Sequence, residues 1–114
     1  MSQAAIDTHA FAEMKELMGD AFKDVIMMCL QSLPVQLNDI ETAIQNQNAE
    51  EIFNVSHKMK SSCGSIGAFG LAEKAEAIEL ISRDGSADIP AKIFNELCDA
   101  TKQVVSILDA ELKD

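Results

Sequence analysis

Proline occurs twice and glycine five times in 114 residues, so little interrupts the chain. The longest apolar runs, such as Val25 to Leu30, are far too short to span a membrane. The N-terminal MSQAAIDTHAF has no basic segment followed by an apolar stretch, so no secretory signal is visible and the cytoplasm is the expected compartment. Three cysteines, Cys29, Cys63 and Cys98, are odd in number and widely spaced. That argues against a disulfide framework and for reduced core thiols. Neither C-x-x-C nor H-x-x-x-H occurs, so no site with paired metal ligands is expected. Basic residues are also scarce: nine Lys and Arg against nineteen Asp and Glu leave a net charge of -10. Such a surface repels nucleic acid and anionic membranes and leaves a protein as the expected partner.

Hydrophobic residues make up 47% and charged residues 25% of the chain, a globular balance at the size of one compact domain over residues 1–114. Apolar residues recur at spacings of three and four almost throughout, which predicts an all-α protein. A short first helix is expected from about Asp7 to Met18, with Phe11, Met14, Leu17 and Met18 on one side and Gly19 as its stop. It would cover one end of a bundle. A second helix, Asp20 to about Gln45, carries the stripe Phe22, Val25, Ile26, Cys29, Leu33, Leu37, Ile40 and Ile44, with Pro34 inside it predicting a kink or a break.

Asn48 followed by Glu50 and Glu51 suits the start of a third helix running to about Ser65. A fourth is expected from about Gly70 to Arg83, with Leu71, Ala75, Ile78 and Ile81 inward and Asp84-Gly85 as its stop. The last opens at Ile89-Pro90 and runs to the C-terminus, with Ile93, Leu97, Ala100, Val104, Ile107 and Leu108 on one face. Four substantial antiparallel helices with short loops describe an up-and-down four-helix bundle.

One segment departs from this pattern. No acid lies between Glu51 and Glu73, and that gap holds Lys58, Lys60, three of the five glycines and one of the two histidines. At about 100° per residue, Ile52, Val55, Met59, Cys63 and Ile66 fall roughly 120° to 180° from His57 and form the core stripe. Glu50, Phe53, Asn54, Lys60, Ser61 and Gly64 fall within roughly 60° of it. His57 is therefore expected on the outer face. Lys60, one turn on, is near enough to pair with an anion carried on the imidazole. Gly64, two turns on, costs about 1 kcal/mol of helix propensity against alanine, and with the small Ser61 it leaves bare backbone where another protein can approach.

The chemistry that fits is phosphoryl transfer, because neutral imidazole is a nucleophile near pH 7 and the reaction needs mainly positioning and charge neutralisation. No acid or second histidine lies close enough on this face to form a triad, and no P-loop or kinase motif occurs. A small hydrolase with His57 as base would lack a nucleophile. His9 has no lysine at the matching spacing and reads as ordinary surface.

His57-Lys58-Met59-Lys60, then Gly64, Gly67 and Leu71, resemble the signature of histidine-containing phosphotransfer (HPt) domains, H-x-L-K-G followed by spaced glycines and a leucine. The helix with central Leu33-Pro34, the turn before helix three and the amphipathic helix after it match the family's order over most of the chain. The resemblance implies that His57 is the phosphorylated histidine, modified on its outer ring nitrogen, and Lys60 the phosphate-neutralising lysine. Gly64 would open the docking face, and Met59 replaces the usual leucine. The family's glycine after the lysine is Ser61 here.

Family members often set a side chain from the next helix against the imidazole, for which both Glu76 and Glu79 are candidates. Phe53 would either join the docking face or pack under the first helix, and Met27 and Met28 would either fill the core or serve an interface. The implied partners are receiver domains of a hybrid sensor kinase and of a response regulator. The chain would be a phosphoryl carrier without kinase or nucleotide site, and without a cofactor of its own, since the Mg2+ belongs to the receiver. It is expected to be a monomer. The alternative is a helical adaptor of the same fold that binds signalling partners without being phosphorylated.

Overall fold

A computed structural model describes residues 4–113. Five helices follow in order: α1 (Thr8–Met18), α2 (Ala21–Gln45), α3 (Ala49–Gly64), α4 (Phe69–Arg83) and α5 (Ala91–Lys113), and no strand occurs among the described residues. The four long helices form the bundle: α3 packs on α2 and α4, and α5 closes the ring against the same two. Their inward stripes meet in one core that includes Phe22, Ile26, Leu33, Ile40, Ile52, Met59, Ile66, Leu71, Ile78, Leu97, Val104 and Leu108, all essentially inaccessible to water. Cys29 and Cys63 lie in that core as free thiols, and Cys98 is partly buried. Burial and the neighbouring Cys29 push the Cys63 thiol up to about 12, so it stays protonated.

Local chemistry sets the helix ends. The Asp7 carboxylate accepts from the His9 and Ala10 amides at the start of α1, and Asn48 accepts from the Glu51 amide at the start of α3. Gly19 and Gly85 adopt positive φ where α1 and α4 stop. Before α1, residues 4–7 form a strap across the α3–α4 turn. The Asp7 amide donates to the Gly67 carbonyl at 2.9 Å, and the Leu71 amide donates to the Ala5 carbonyl at 3.1 Å. The N-terminus of α4 has no side-chain cap, so the strap supplies an acceptor that this end lacks.

Several expectations are corrected. α2 runs through Pro34 as one helix, so the break, one of the two outcomes expected there, does not occur; the ring is exposed, and the buried Leu33 and Ile40 on either side hold both halves to the same core. Leu17 is 82% exposed, because it lies about 120° around α1 from the buried Phe11, off the face that α1 lays on α2. Ile107, at the edge of its stripe, is also exposed, as are Met27 and Met28, which fill no core. Gly70, the expected start of the fourth helix, lies inside its first turn, and a Cβ there would stand 2.0 Å from the Ala4 carbonyl oxygen. The strap can lie down only over a residue without a side chain.

Candidate functional site

α3 and α4 are antiparallel neighbours joined by residues 65–68, and their register assembles the site. As α3 advances from His57 to Lys60, α4 retreats from Glu79 to Glu76, so that each pair stands level across the interface. Ala75 and Ser82, about one turn either side of Glu79, are small and buried, and so is Ser56 beside His57. The two serine hydroxyls donate to carbonyls of the preceding turn in their own helices, so their burial leaves no polar group unpaired. Small residues here let the helices approach closely enough for Glu79 to reach His57.

The His57 side chain is 56% exposed and its Nδ1 lies 2.5 Å from Glu79 Oε2, while the Glu79 side chain is only 7% exposed. The other carboxylate oxygen, Oε1, accepts from Lys60 Nζ at 2.7 Å. Glu76 Oε2 stands 3.7 Å from the same ammonium, within ion-pair range. Burial works to raise the Glu79 carboxyl, but hydrogen bonds from Lys60 and His57 and their charges outweigh it and hold the group below its ordinary value. Glu79 is therefore ionised at neutral pH. Its hydrogen bond also holds the Lys60 ammonium up, against the opposing effect of desolvation.

An ionised carboxylate accepts hydrogen bonds and cannot donate them. The proton between Glu79 and His57 consequently sits on Nδ1, and in the neutral ring Nε2 carries the free lone pair, turned away from Glu79. The choice that the sequence left open between Glu76 and Glu79 falls to Glu79 for the imidazole, with Glu76 reaching Lys60 alone.

Phe53 neither packs under α1 nor stands apart from the site. Its ring stacks on the His57 imidazole with centroids 5.9 Å apart and planes inclined by 14°. Its outer side walls a shallow groove of about 310 Å³ with Ala49, Glu50, Ser82, Arg83 and Gly85. Ser61 is exposed, and Gly64 has open space around the position a Cβ would take. The five predicted site residues thus share one face, and the sequence reading left Glu79 as one of two candidates. His9 is apart from them, paired with Glu13 on the surface of α1.

Residues 24–107 match the family model of the Hpt domain. The chain belongs to the Hpt family. Among solved structures, histidine-containing phosphotransfer protein B (HptB) from Pseudomonas aeruginosa PAO1 is similar, with a TM-score of 0.88 at 19% identity over 98% of this chain and 97% of that one. The HPT domain of an Hpt sensor hybrid histidine kinase from Shewanella is similar with a TM-score of 0.80 at 16% identity, covering 96% and 95%. These likenesses show a shared helical-bundle fold. No curated protein matches the chain. An Hpt domain has a histidine phosphotransfer role in phosphorelays: it is a phosphocarrier, not a kinase, and its partners are receiver domains. No helix among the described residues is long and apolar enough to cross a membrane.

Proposed function

We propose that His57 is the residue that carries the phosphoryl group, taking it from a receiver aspartate of a hybrid sensor kinase and passing it to a receiver aspartate of a response regulator. The observation that carries this reading is the ionised, buried Glu79 on Nδ1, which leaves Nε2 as the free nucleophile on an exposed ring. In the loading step the Nε2 lone pair attacks phosphorus, the N–P bond forms as the bond to the aspartyl oxygen breaks, and the carboxylate of the donor leaves. Nδ1 keeps its proton throughout, and Glu79 offsets the positive charge that grows on the ring. Lys60 neutralises the phosphoryl oxygens, and unloading to the second aspartate is the reverse reaction.

Phe53, Ser61 and Gly64 belong to the docking face: the first buttresses the ring, the other two keep its surroundings low. The carrier has no kinase or nucleotide site of its own and no resident cofactor, with Mg2+ supplied by the receiver. It works as a monomer in the cytoplasm, a compartment that suits three free thiols.

The test mixes the protein with a phosphorylated receiver domain and Mg2+. Wild type should acquire an acid-labile phosphate, His57→Gln should acquire none, and Lys60→Ala should fold normally and load more slowly. Equal failure of wild type and His57→Gln across a range of receivers would leave a binding adaptor in place of a carrier.

A further inference from the structure

The lysine that should meet the phosphoryl group already faces two acids. Lys60 stands between two carboxylates, 2.7 Å from Glu79 and 3.7 Å from Glu76. The two acids differ in what they can give up. Glu79 is buried and committed through its other oxygen to His57, so its bond to Lys60 is part of the fixed frame. Glu76 has a side chain 52% exposed on the outer face of α4, and its contact is too long for a hydrogen bond. An ammonium has three donors; Glu79 takes one, and the remaining positive charge, which faces Glu76 at ion-pair distance, is what an incoming phosphoryl group would draw toward itself.

We propose that Glu76 is a positioning residue that tunes the transfer equilibrium, competing with the phosphoryl group for Lys60 and so making phosphorylated His57 a better donor. The inference rests on the assignment of His57 as carrier. In the unloaded protein Glu76 holds the ammonium toward α4. Loading His57 brings a phosphate with about two negative charges into the same neighbourhood, and Lys60 turns to it at the expense of Glu76. The energy that Glu76 loses is subtracted from the stability of the phosphohistidine and made available when the group leaves for an aspartate. Exposed ion pairs are individually weak, which keeps the effect to tuning: the equilibrium constant should move by about two- to fivefold.

The experiment measures the equilibrium between a phosphorylated receiver and His57 in wild type, Glu76→Gln, Lys60→Ala and the double variant, with Glu50→Gln as a control for loss of an acid on the same face. Glu76→Gln should shift the equilibrium toward phosphorylated His57 by about two- to fivefold at low salt, and less at high salt. It should have no effect once Lys60 is alanine, and Glu76→Asp should recover part of the wild-type value, which a merely structural role would not give. An equilibrium unmoved by Glu76→Gln overturns the proposal, as does an equal shift from Glu50→Gln or a shift that survives in the Lys60→Ala background. A wild type that takes no phosphate overturns the carrier assignment itself, an outcome distinct from a working carrier indifferent to Glu76.

Discussion

Replacing Glu79 by glutamine is the sharpest perturbation of the site, since it keeps the shape and removes the charge. In wild type one buried carboxylate accepts from His57 Nδ1 at 2.5 Å and from Lys60 Nζ at 2.7 Å. An amide has one oxygen, so it can accept from one of these groups only and turns an NH2 toward the other. If the oxygen stays on Nδ1, a charge-assisted bond worth about 1.5–3 kcal/mol becomes a neutral one worth about 0.5–1.5 kcal/mol. The loss, roughly 1 kcal/mol, is about fivefold in the preference for the ring form with Nδ1 protonated. If the NH2 turns to Nδ1, the proton moves to Nε2 and the nucleophile is lost altogether. Loading of His57 should therefore slow by about fivefold or more, with a matching change in the 15N shifts of the imidazole.

The acid response provides a second readout. A carboxyl held below its ordinary value contributes stability that is present above the unfolded-state pKa and is lost as pH falls through the lower folded value. The stability advantage of wild type over Glu79→Gln should therefore shrink on acidification through and below the ordinary carboxylate range. Unaltered 15N shifts together with wild-type transfer would refute the argument that Glu79 sets the nucleophile. A stability gap that stayed constant or widened toward acid would refute the ionised state of Glu79.

Two substitutions of glycine should have opposite consequences. Gly70→Ala puts a methyl group 2.0 Å from the Ala4 oxygen and 2.8 Å from the Ala5 Cα, so the strap must lift. It should cost about 1–3 kcal/mol or more in chemical unfolding, although alanine is the better helix former by about 1 kcal/mol, and a variant as stable as wild type would show that the strap is dispensable. Gly64→Ala meets nothing within 4 Å and should fold at least as stably as wild type. Gly64→Gln should fold too but slow transfer by roughly an order of magnitude or more by holding the partner off, and undiminished transfer would remove Gly64 from the docking face.

The parts of this fold that repeat every three or four residues were readable in the chain, because a single helix wheel separates Met59 and Cys63 from His57 without knowledge of any neighbour. The same wheel places Lys60, Gly64 and Phe53 near the histidine. What it cannot supply is anything that depends on how two helices meet. Glu76 and Glu79 are three residues apart on one helix and both acidic, and only the register of α3 on α4 decides which reaches Nδ1. Phe53 likewise required the third dimension, since stacking on His57 and packing under α1 make the same sequence pattern. The need for glycine at position 70 lies in a carbonyl more than sixty residues earlier in the chain. At Pro34 local propensity allows a break into two helices, and burial of Leu33 and Ile40 on either side keeps one.

Because Glu79 occupies one edge of the imidazole, His57 offers a single atom to the outside. With His57 as the proposed carrier residue, donor and acceptor visit the same nitrogen from the same direction, and no ternary complex of both with it is productive. Such a relay obeys ping-pong kinetics, in which each receiver competes with the other for the carrier. An excess of unphosphorylated acceptor would slow loading instead of drawing it forward. The concentration ratio of the two receivers, as well as their affinities, would then govern how fast a signal passes.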